Sequence, residues 1–319
     1  TFFTEGEGRS LEGKVSSRFW SDITHFEGNA NAFRLLTHRF KGRRRGGFVM
    51  TYSSLAAIVK YPFTSMQAGR HGKFGFFAEE QDQYRRIADD LGIICLDPST
   101  DNLRYVRHPL VYLTEAADDI CYEIMDIEDA HKLKLLSFDE TAGLLLGYFD
   151  QPTREHIFQR IHDEGVDDEN EKIVYMRACA VGKLEQECVH AFVDNEEQIL
   201  NGTFTGSLID HISEPVREAY RRSSDVSVKK IYNSKTVTDV ELSGYKIMET
   251  LMDAFVGAAV NPQTFHSKQL IRRVSSQYDI DSDNLETRIM AVADYISGMT
   301  DVYALDVYQK INGISLPIV

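Results

Sequence analysis

Apolar positions recur at steps of three and four through most of this chain, and nowhere more regularly than from Pro109 to Ala130. Leu110, Leu113, Ala117, Ile120, Ile124 and Ile127 fall on one side of an amphipathic helix. Pro109 suits its first turn, where a missing N–H costs nothing. At about 100° per residue, Glu115, Asp118, Tyr122, Asp126 and Asp129 form a second stripe on another face. Four carboxylates and a phenol in one line repel unless water, a metal or a ligand intervenes. On periodicity alone the stripe reads as a solvated face.

The same pattern predicts further helices on both sides. One runs from about Phe26 to Phe40, capped by Asp22 or Thr24, and another opens at Thr51 and stops at Pro62. A charged helix spans about Ala78 to Leu91. Ser137-Phe138-Asp139-Glu140 fits a capping box for a helix carrying Leu144, Leu145, Leu146 and Phe149. Thr153 opens a helix that ends near Gly165, and a long pattern from Glu169 to Leu200 has a break near Gly182. Shorter patterns cover 215–222, 243–258, 264–278 and 283–311, the last interrupted at Ser297-Gly298. Ile93–Leu96 and Leu103–Tyr105 can pair as a small hairpin, and Val226–Tyr232 is the best candidate strand. Residues 1–20, rich in glycine and charge, read as a loop entered in mid-course. Without a βαβ rhythm the fold class is mainly α, with a few short strands. The expected division is 1–200 and 201–319.

A hydrophobic content of 43% and a charged content of 26% are those of a soluble globular protein. No apolar run reaches bilayer length and no signal-peptide pattern opens the sequence, so no membrane partner is expected. Cys95, Cys121, Cys179 and Cys188 are scattered; buried reduced thiols and a cytoplasmic location are the expectation. The net charge of −14 argues against broad electrostatic binding to nucleic acid. One local exception is the basic loop Lys41-Gly42-Arg43-Arg44-Arg45-Gly46-Gly47, a solvated connection or else a phosphate, polynucleotide or subunit contact.

The commonest nucleotide and hydrolase signatures, G-x-x-x-x-G-K-S/T, G-x-G-x-x-G and G-x-S-x-G, are absent. His162-Asp163, with His156 upstream, lies in a run of polar residues and reads as surface rather than a metal site.

Three segments change the picture. His25-Phe26-Glu27-Gly28-Asn29-Ala30-Asn31 resembles the "H-F-E-G-N-A-Q" segment of the deoxyguanosine triphosphate triphosphohydrolases (dGTPases) of the HD superfamily. Glu115-Ala116-Ala117-Asp118-Asp119-Ile120-Cys121-Tyr122 resembles their "E-A-A-D-D-I-x-Y" helix. Asp294-Tyr295-Ile296-Ser297-Gly298-Met299-Thr300-Asp301 resembles their "D-Y-I-S/A-G-M-T-D". The matches occur in the family's order and cover essentially the whole chain. They imply an HD-domain helical bundle with a helical C-terminal region.

HD enzymes hold their metal with a first His, an adjacent His-Asp and a distant Asp. The family's "H-D-I-G-x-P-P-F-G-H-x-G-E" segment, and with it the catalytic His and Glu, precede the first matching segment and have no counterpart in this sequence. His162-Asp163 stands in the wrong order to substitute. By resemblance, Asp118 is the fourth metal ligand; its hard oxygen suits Mg²⁺ or Mn²⁺, while histidine partners would also admit iron, nickel or other transition metals. Tyr122 matches the residue that packs on the deoxyribose, and Asp126 the acceptor of the sugar 3′-hydroxyl. Asn29, Lys60, Tyr61 and Lys73 match phosphate-contacting positions, where an ammonium suits a phosphate oxygen and Gly75 beside Lys73 allows close backbone approach. Tyr232 and Glu241 resemble positions that stack on and hydrogen-bond a purine, while Arg272 and Arg273 depart from the family's spacing. Tyr295, Ile296, Met299 and Tyr303 read as core packing, with Gly298 permitting a close helix crossing.

The implied activity is metal-dependent hydrolysis of dGTP to deoxyguanosine and triphosphate by an oligomer, with nucleotide activators or single-stranded DNA as further partners. Two alternatives stand beside it. One is a broader deoxynucleotide triphosphohydrolase; the other is a non-catalytic nucleotide-binding or scaffold chain.

Overall fold

A computed structural model describes residues 2–43, 47–99 and 103–315 of the chain. Arg44, Arg45 and Gly46 of the basic loop lie outside the described residues. Helices dominate, as the periodicity predicts. In order they are α1 (Ser17–Thr24), α2 (Gly28–Thr37), α3 (Tyr52–Ala57) and α4 (Gln81–Leu91), followed by the short strands β1 (Cys95–Asp97) and β2 (Arg104–Tyr105). Next come α5 (Pro109–Lys132), α6 (Phe138–Leu145), α7 (Gln151–Asp163), α8 (Glu169–Asp194), α9 (Glu196–Leu200) and α10 (Glu214–Val226). The last four are α11 (Lys235–Val260), α12 (Phe265–Ile271), α13 (Leu285–Ser297) and α14 (Asp301–Ile311).

The helix ends follow local chemistry. His108 caps α5 by accepting from the Leu110 N–H, Pro109 occupies its first position, and His131 and Lys132 complement its C-terminal dipole. The Ser137–Glu140 capping box is formed at α6. β1 and β2 pair antiparallel, so the expected hairpin is present. Four expectations are corrected. Neither Asp22 nor Thr24 caps α2: both lie inside α1, and the Glu27 carboxylate caps α2 instead. α8 runs unbroken through Gly182 and ends at Asn195. The candidate strand at Val226–Tyr232 is helical, with Ser227–Tyr232 wound as a π-helical turn. Residues near the start are anchored, since Phe3 and Leu11 are buried and Glu7–Leu11 form a 3₁₀ turn.

Contacts divide the chain into two units: Thr1–Arg107 with Val240–Val319, and His108–Asp239. These bounds differ from the 1–200 and 201–319 division expected of the sequence. In the second unit α5 packs along α8, around Tyr112, Ala116, Ile120, Ile124 and Ile127 from α5 and Ile173, Met176, Ala180 and Leu184 from α8. The buried stripe of α5 is thus turned from the predicted one, with Leu110 and Ala117 exposed and Tyr112 and Ala116 inside. Glu128, at the edge of this face, accepts from Arg177 of α8 and from Lys132, both at 2.7 Å.

The first unit has two cores. One gathers Phe33, Phe76, Tyr84 and Tyr105, with the Phe76 and Tyr84 rings stacked at 4.6 Å. The other packs Phe74, Phe77, Phe255, Ile289 and Tyr295. Between helices distant in sequence stands a buried guanidinium. Arg34 of α2 donates from Nε and Nη2 to both oxygens of Asp294 on α13, each at 2.8 Å. Its Nη1 meets Glu80 at 2.5 Å and Glu79 at 2.7 Å. Burial opposes its charge, but Glu80, Asp294 and Glu79 more than reverse that and hold the proton tighter than usual. Asp22 is buried on α1, accepting from Ser65 Oγ at 2.5 Å and the Ala78 N–H at 2.9 Å. Burial raises its carboxyl to about 7 despite those hydrogen bonds.

The cysteines are free; Cys188 is buried, but Cys95 and Cys121 are exposed, against expectation. Among the described residues no helix is long and apolar enough to cross a membrane.

Replacing Arg34 with Met leaves Asp294 and Glu80 buried without their cation, and urea denaturation is expected to show a loss of about 3–5 kcal/mol, partly restored by Arg34→Lys. Asp22 gives a pH signature. Because its folded pKa is raised, its stability contribution is complete below the ordinary range near 3.8 and falls away as pH rises through about 7. Asp22→Asn removes that dependence. Relative to the parent, the variant is expected to gain about 2–4 kcal/mol between about pH 4 and pH 8 in urea melts.

Candidate functional site

The exposed side of α5 carries the acidic stripe in the second unit. Asp118 and Tyr122 are exposed, Tyr122 at 66%, and Asp126 is half-buried. Glu115 leaves the predicted line and is buried. One residue missed by the stripe is Glu123, buried beside it on α5. The structure joins Asp126 to a residue 106 positions away: the Tyr232 hydroxyl donates to Asp126 Oδ2 at 2.5 Å. That bond, with burial and the Asp126 charge, pushes the Tyr232 phenol up to about 12. A carboxylate offers about four lone-pair positions, so Asp126 can accept from Tyr232 and still receive another hydroxyl. Tyr232 is brought there by the π-helical turn, the element that the sequence pattern suggested was a strand.

In the first unit a second group forms around Glu27. Its Oε1 accepts from Asn29 Nδ2 and from Lys73 Nζ, both at 2.8 Å, and its Oε2 accepts from the Asn29 backbone N–H at 2.7 Å. Glu27 thereby caps α2 and holds two of the four expected phosphate contacts, Asn29 and Lys73, with one carboxylate. Lys73 keeps its charge more firmly for the Glu27 hydrogen bond, while nearly half of its side chain stays open to water. Lys60 and Tyr61 are neighbours of this group: the Lys60 ammonium stands 5.9 Å from the Tyr61 ring centre. The Arg107 guanidinium stands 6.0 Å from the same ring and donates to the Lys60 carbonyl at 3.0 Å. Arg107 was not visible as a candidate in the sequence, because only the fold brings its guanidinium to the ring of Tyr61.

At Gly75 the backbone comes close to another stretch of the chain. A Cβ there would lie 2.3 Å from the Tyr61 carbonyl oxygen and 2.6 Å from Val59. Its backbone N–H donates to the Phe63 carbonyl. The glycine lets two chain segments touch, which sets the position of Lys73 and Tyr61 together. Glu241 is exposed on α11. Of the basic loop, Lys41 is bound to Asp279 at 2.7 Å and Arg43 lies over the Phe48 ring at 4.7 Å. Those two described residues are thus engaged within the unit.

By resemblance Asp118 was expected to supply one ligand, the fourth, of a divalent ion, and it stands exposed on α5. Among the described residues, the one group of three side chains able to hold a metal is His38, Glu79 and Glu80. His38 Nδ1 is 3.4 Å from Glu80 and 3.8 Å from Glu79, yet both carboxylates already bind Arg34. A guanidinium in hydrogen-bond contact with both would repel a cation, so the group is an ion-pair network completed by Arg34. Asp118 offers one exposed carboxylate, whose hard oxygen suits a single ligand position on a divalent ion.

Comparison with known proteins supplies the family. Residues 211–310 match the phosphohydrolase-associated domain. A deoxyguanosinetriphosphate triphosphohydrolase-like protein of Pseudomonas aeruginosa is 33% identical over 325 residues, covering 99% of this chain and 72% of the relative. A protein of the same name from Synechocystis is 32% identical over 93% of this chain and 67% of its own length. The deoxyguanosinetriphosphate triphosphohydrolase of Yersinia enterocolitica is 26% identical over 96% of this chain and 67% of its length. The three motifs, the helical architecture and relatives similar along almost all of its length agree: this chain belongs to the deoxyguanosine triphosphate triphosphohydrolase family of HD-type phosphohydrolases.

Proposed function

We propose that the chain takes part in hydrolysis of dGTP to deoxyguanosine and triphosphate. The observation that carries the reading is the Asp126–Tyr232 pair beside the exposed ring of Tyr122. A carboxylate held by a phenol, with acceptor capacity left over, is suited to a sugar 3′-hydroxyl. An exposed aromatic face one helical turn away is suited to a deoxyribose, because a 2′-hydroxyl on that ring would meet an apolar surface. Asn29, Lys60, Tyr61 and Lys73 supply donors for a triphosphate, and Arg107 adds a guanidinium for phosphate oxygens. An incoming triphosphate would share Lys73 with Glu27 rather than meet a bare ammonium. Tyr232 and Glu241 are proposed as base contacts, Glu241 accepting from the N1–H and exocyclic amine of guanine.

Bond cleavage at the α-phosphorus calls for an activated water. A divalent ion, Mg²⁺ or Mn²⁺, would supply that chemistry, with Asp118 contributing one carboxylate to it. The residues described here bind and orient the nucleotide. Homo-oligomer formation, a nucleotide or single-stranded DNA activator and a cytoplasmic setting remain part of the same proposal.

One specific observation favours another reading. The exposure of Glu241 favours a broader deoxynucleotide triphosphohydrolase with a loose base site.

Incubation with dGTP and Mn²⁺, followed by ³¹P NMR, is expected to show intact triphosphate as the product. Nucleotide binding without any triphosphate release would replace the enzyme reading with the binding one. Glu241→Ala is expected to lower the preference for dGTP over dATP about tenfold, the worth of one charge-assisted hydrogen bond; an unchanged preference assigns the loose base site. Asp126→Asn is expected to erase most of the difference in affinity between dGTP and its 3′-deoxy analogue. Lys73→Met is expected to raise KM about tenfold or more with little change in kcat.

A further inference from the structure

After Val226 the backbone of α10 widens, and Ser227–Tyr232 wind as a π-helical turn. Such turns are rare and collect at functional positions. This one is held to α5 at both ends, within one unit. At its start the buried Ser227 donates from Oγ to Glu123 Oε1 at 3.3 Å. At its end Tyr232 donates to Asp126 at 2.5 Å. Glu123 and Asp126 are three residues apart on α5, hence neighbours on its surface. The inner attachment is dry and the outer one half-exposed.

Glu123 is only 7% exposed and has no place among the nucleotide contacts. Ser227 is its hydrogen-bond partner, and among the described residues no cation pairs with it. The titratable groups facing it are Asp126 on α5, Tyr220 on α10, Tyr148 after α6 and Tyr232 on the turn. Arg222 acts on Tyr148 from farther out. Tyr148 in turn donates to Ser223, one turn before Ser227, at 3.0 Å. The π-helical turn therefore rests on a buried floor of hydroxyls with one carboxyl at its centre.

We propose that Glu123 is a positioning residue: through Ser227 it holds the π-helical turn and so sets the reach of Tyr232 to Asp126. The role rests on the reading of Asp126 and Tyr232 as nucleotide contacts. It carries a pH dependence. Burial lifts the Glu123 carboxyl to about 7, with Ser227 lowering it and Asp126 raising it. Below that pH the group is neutral and the floor is uncharged. Above it a buried negative charge appears beside Asp126, and admitting water is the way to relieve it. The turn loosens and Tyr232 lets go of Asp126.

The test uses the whole chain with ¹³C-labelled tyrosine, the Tyr232 ring signal being assigned by its absence in Tyr232→Phe. In the parent, that signal is expected to move between about pH 6 and pH 8.5 with an inflection near 7. Glu123→Gln is expected to keep it at its acid position throughout, and Ser227→Ala to displace it at both ends of the range. With dGTP, KM of the parent is expected to rise about fivefold over that range, the worth of one ordinary hydrogen bond, while Glu123→Gln shows no rise and kcat changes alike in both. An inflection that survives in Glu123→Gln, or a Tyr232 signal indifferent to Ser227→Ala, overturns the proposal. Should the parent hydrolyse no dGTP, the proposed reaction fails and the NMR measurement still decides Glu123.

Discussion

The fork of Arg34 is the interaction on which the first unit depends. One buried guanidinium ties α2 to α13 through both oxygens of Asp294 and ties α2 to the approach of α4 through Glu79 and Glu80. Its five donors are nearly all used, and in fixed directions, so the three elements are set in angle as well as in distance. A lysine or a methionine could fill the space without supplying those directions. α2 begins at Glu27, so the orientation imposed by Arg34 two turns on is also the orientation with which Glu27 presents Asn29 and Lys73. The placement of Asn29 and Lys73 therefore depends on a salt bridge that touches neither of them.

Glu27 shows how a surface lysine is given a fixed place. A lysine on its own sweeps a wide volume, and holding it costs side-chain entropy. Here one carboxylate, already required to cap α2, receives both Asn29 and Lys73. The close approach at Gly75 fixes the Lys73 backbone against Tyr61, whose ring meets Lys60 on one side and Arg107 on another. The result is a patch of cations with defined spacing in a protein whose net charge is −14.

What was legible in the sequence was local. Helix caps such as Ser137 with Glu140, the proline start of α5 and the small hairpin could be read because their partners lie within a few residues. The identity of Asp118, Tyr122 and Asp126 as one ridge was legible too, from helical spacing. The buried face of α5 was misplaced because Leu110 and Ala117 match the period as well as Tyr112 and Ala116, and only α8 decides between them. Val226–Tyr232 misled because its partly alternating β-branched residues, Val226, Val228 and Ile231, suit a strand and a wide helical turn alike. Glu123, Arg107 and the Arg34 fork were invisible for a common reason. Each owes its meaning to a partner tens or hundreds of residues away.

The π-helical turn makes a stretch of ordinary-looking chain unusual in its tolerance of length. Loops accept a residue more or less, because slack absorbs the change. A π-helical turn holds its extra residue inside a continuous hydrogen-bonded spiral, so removing one between Ser227 and Tyr232 would let the backbone relax into a common α-helix. Nothing would unfold, yet Tyr232 would swing about 100° around the axis and away from Asp126. Among homologous sequences, a one-residue gap at this point would mark the boundary between proteins that keep the phenol on the carboxylate and proteins that have given it up.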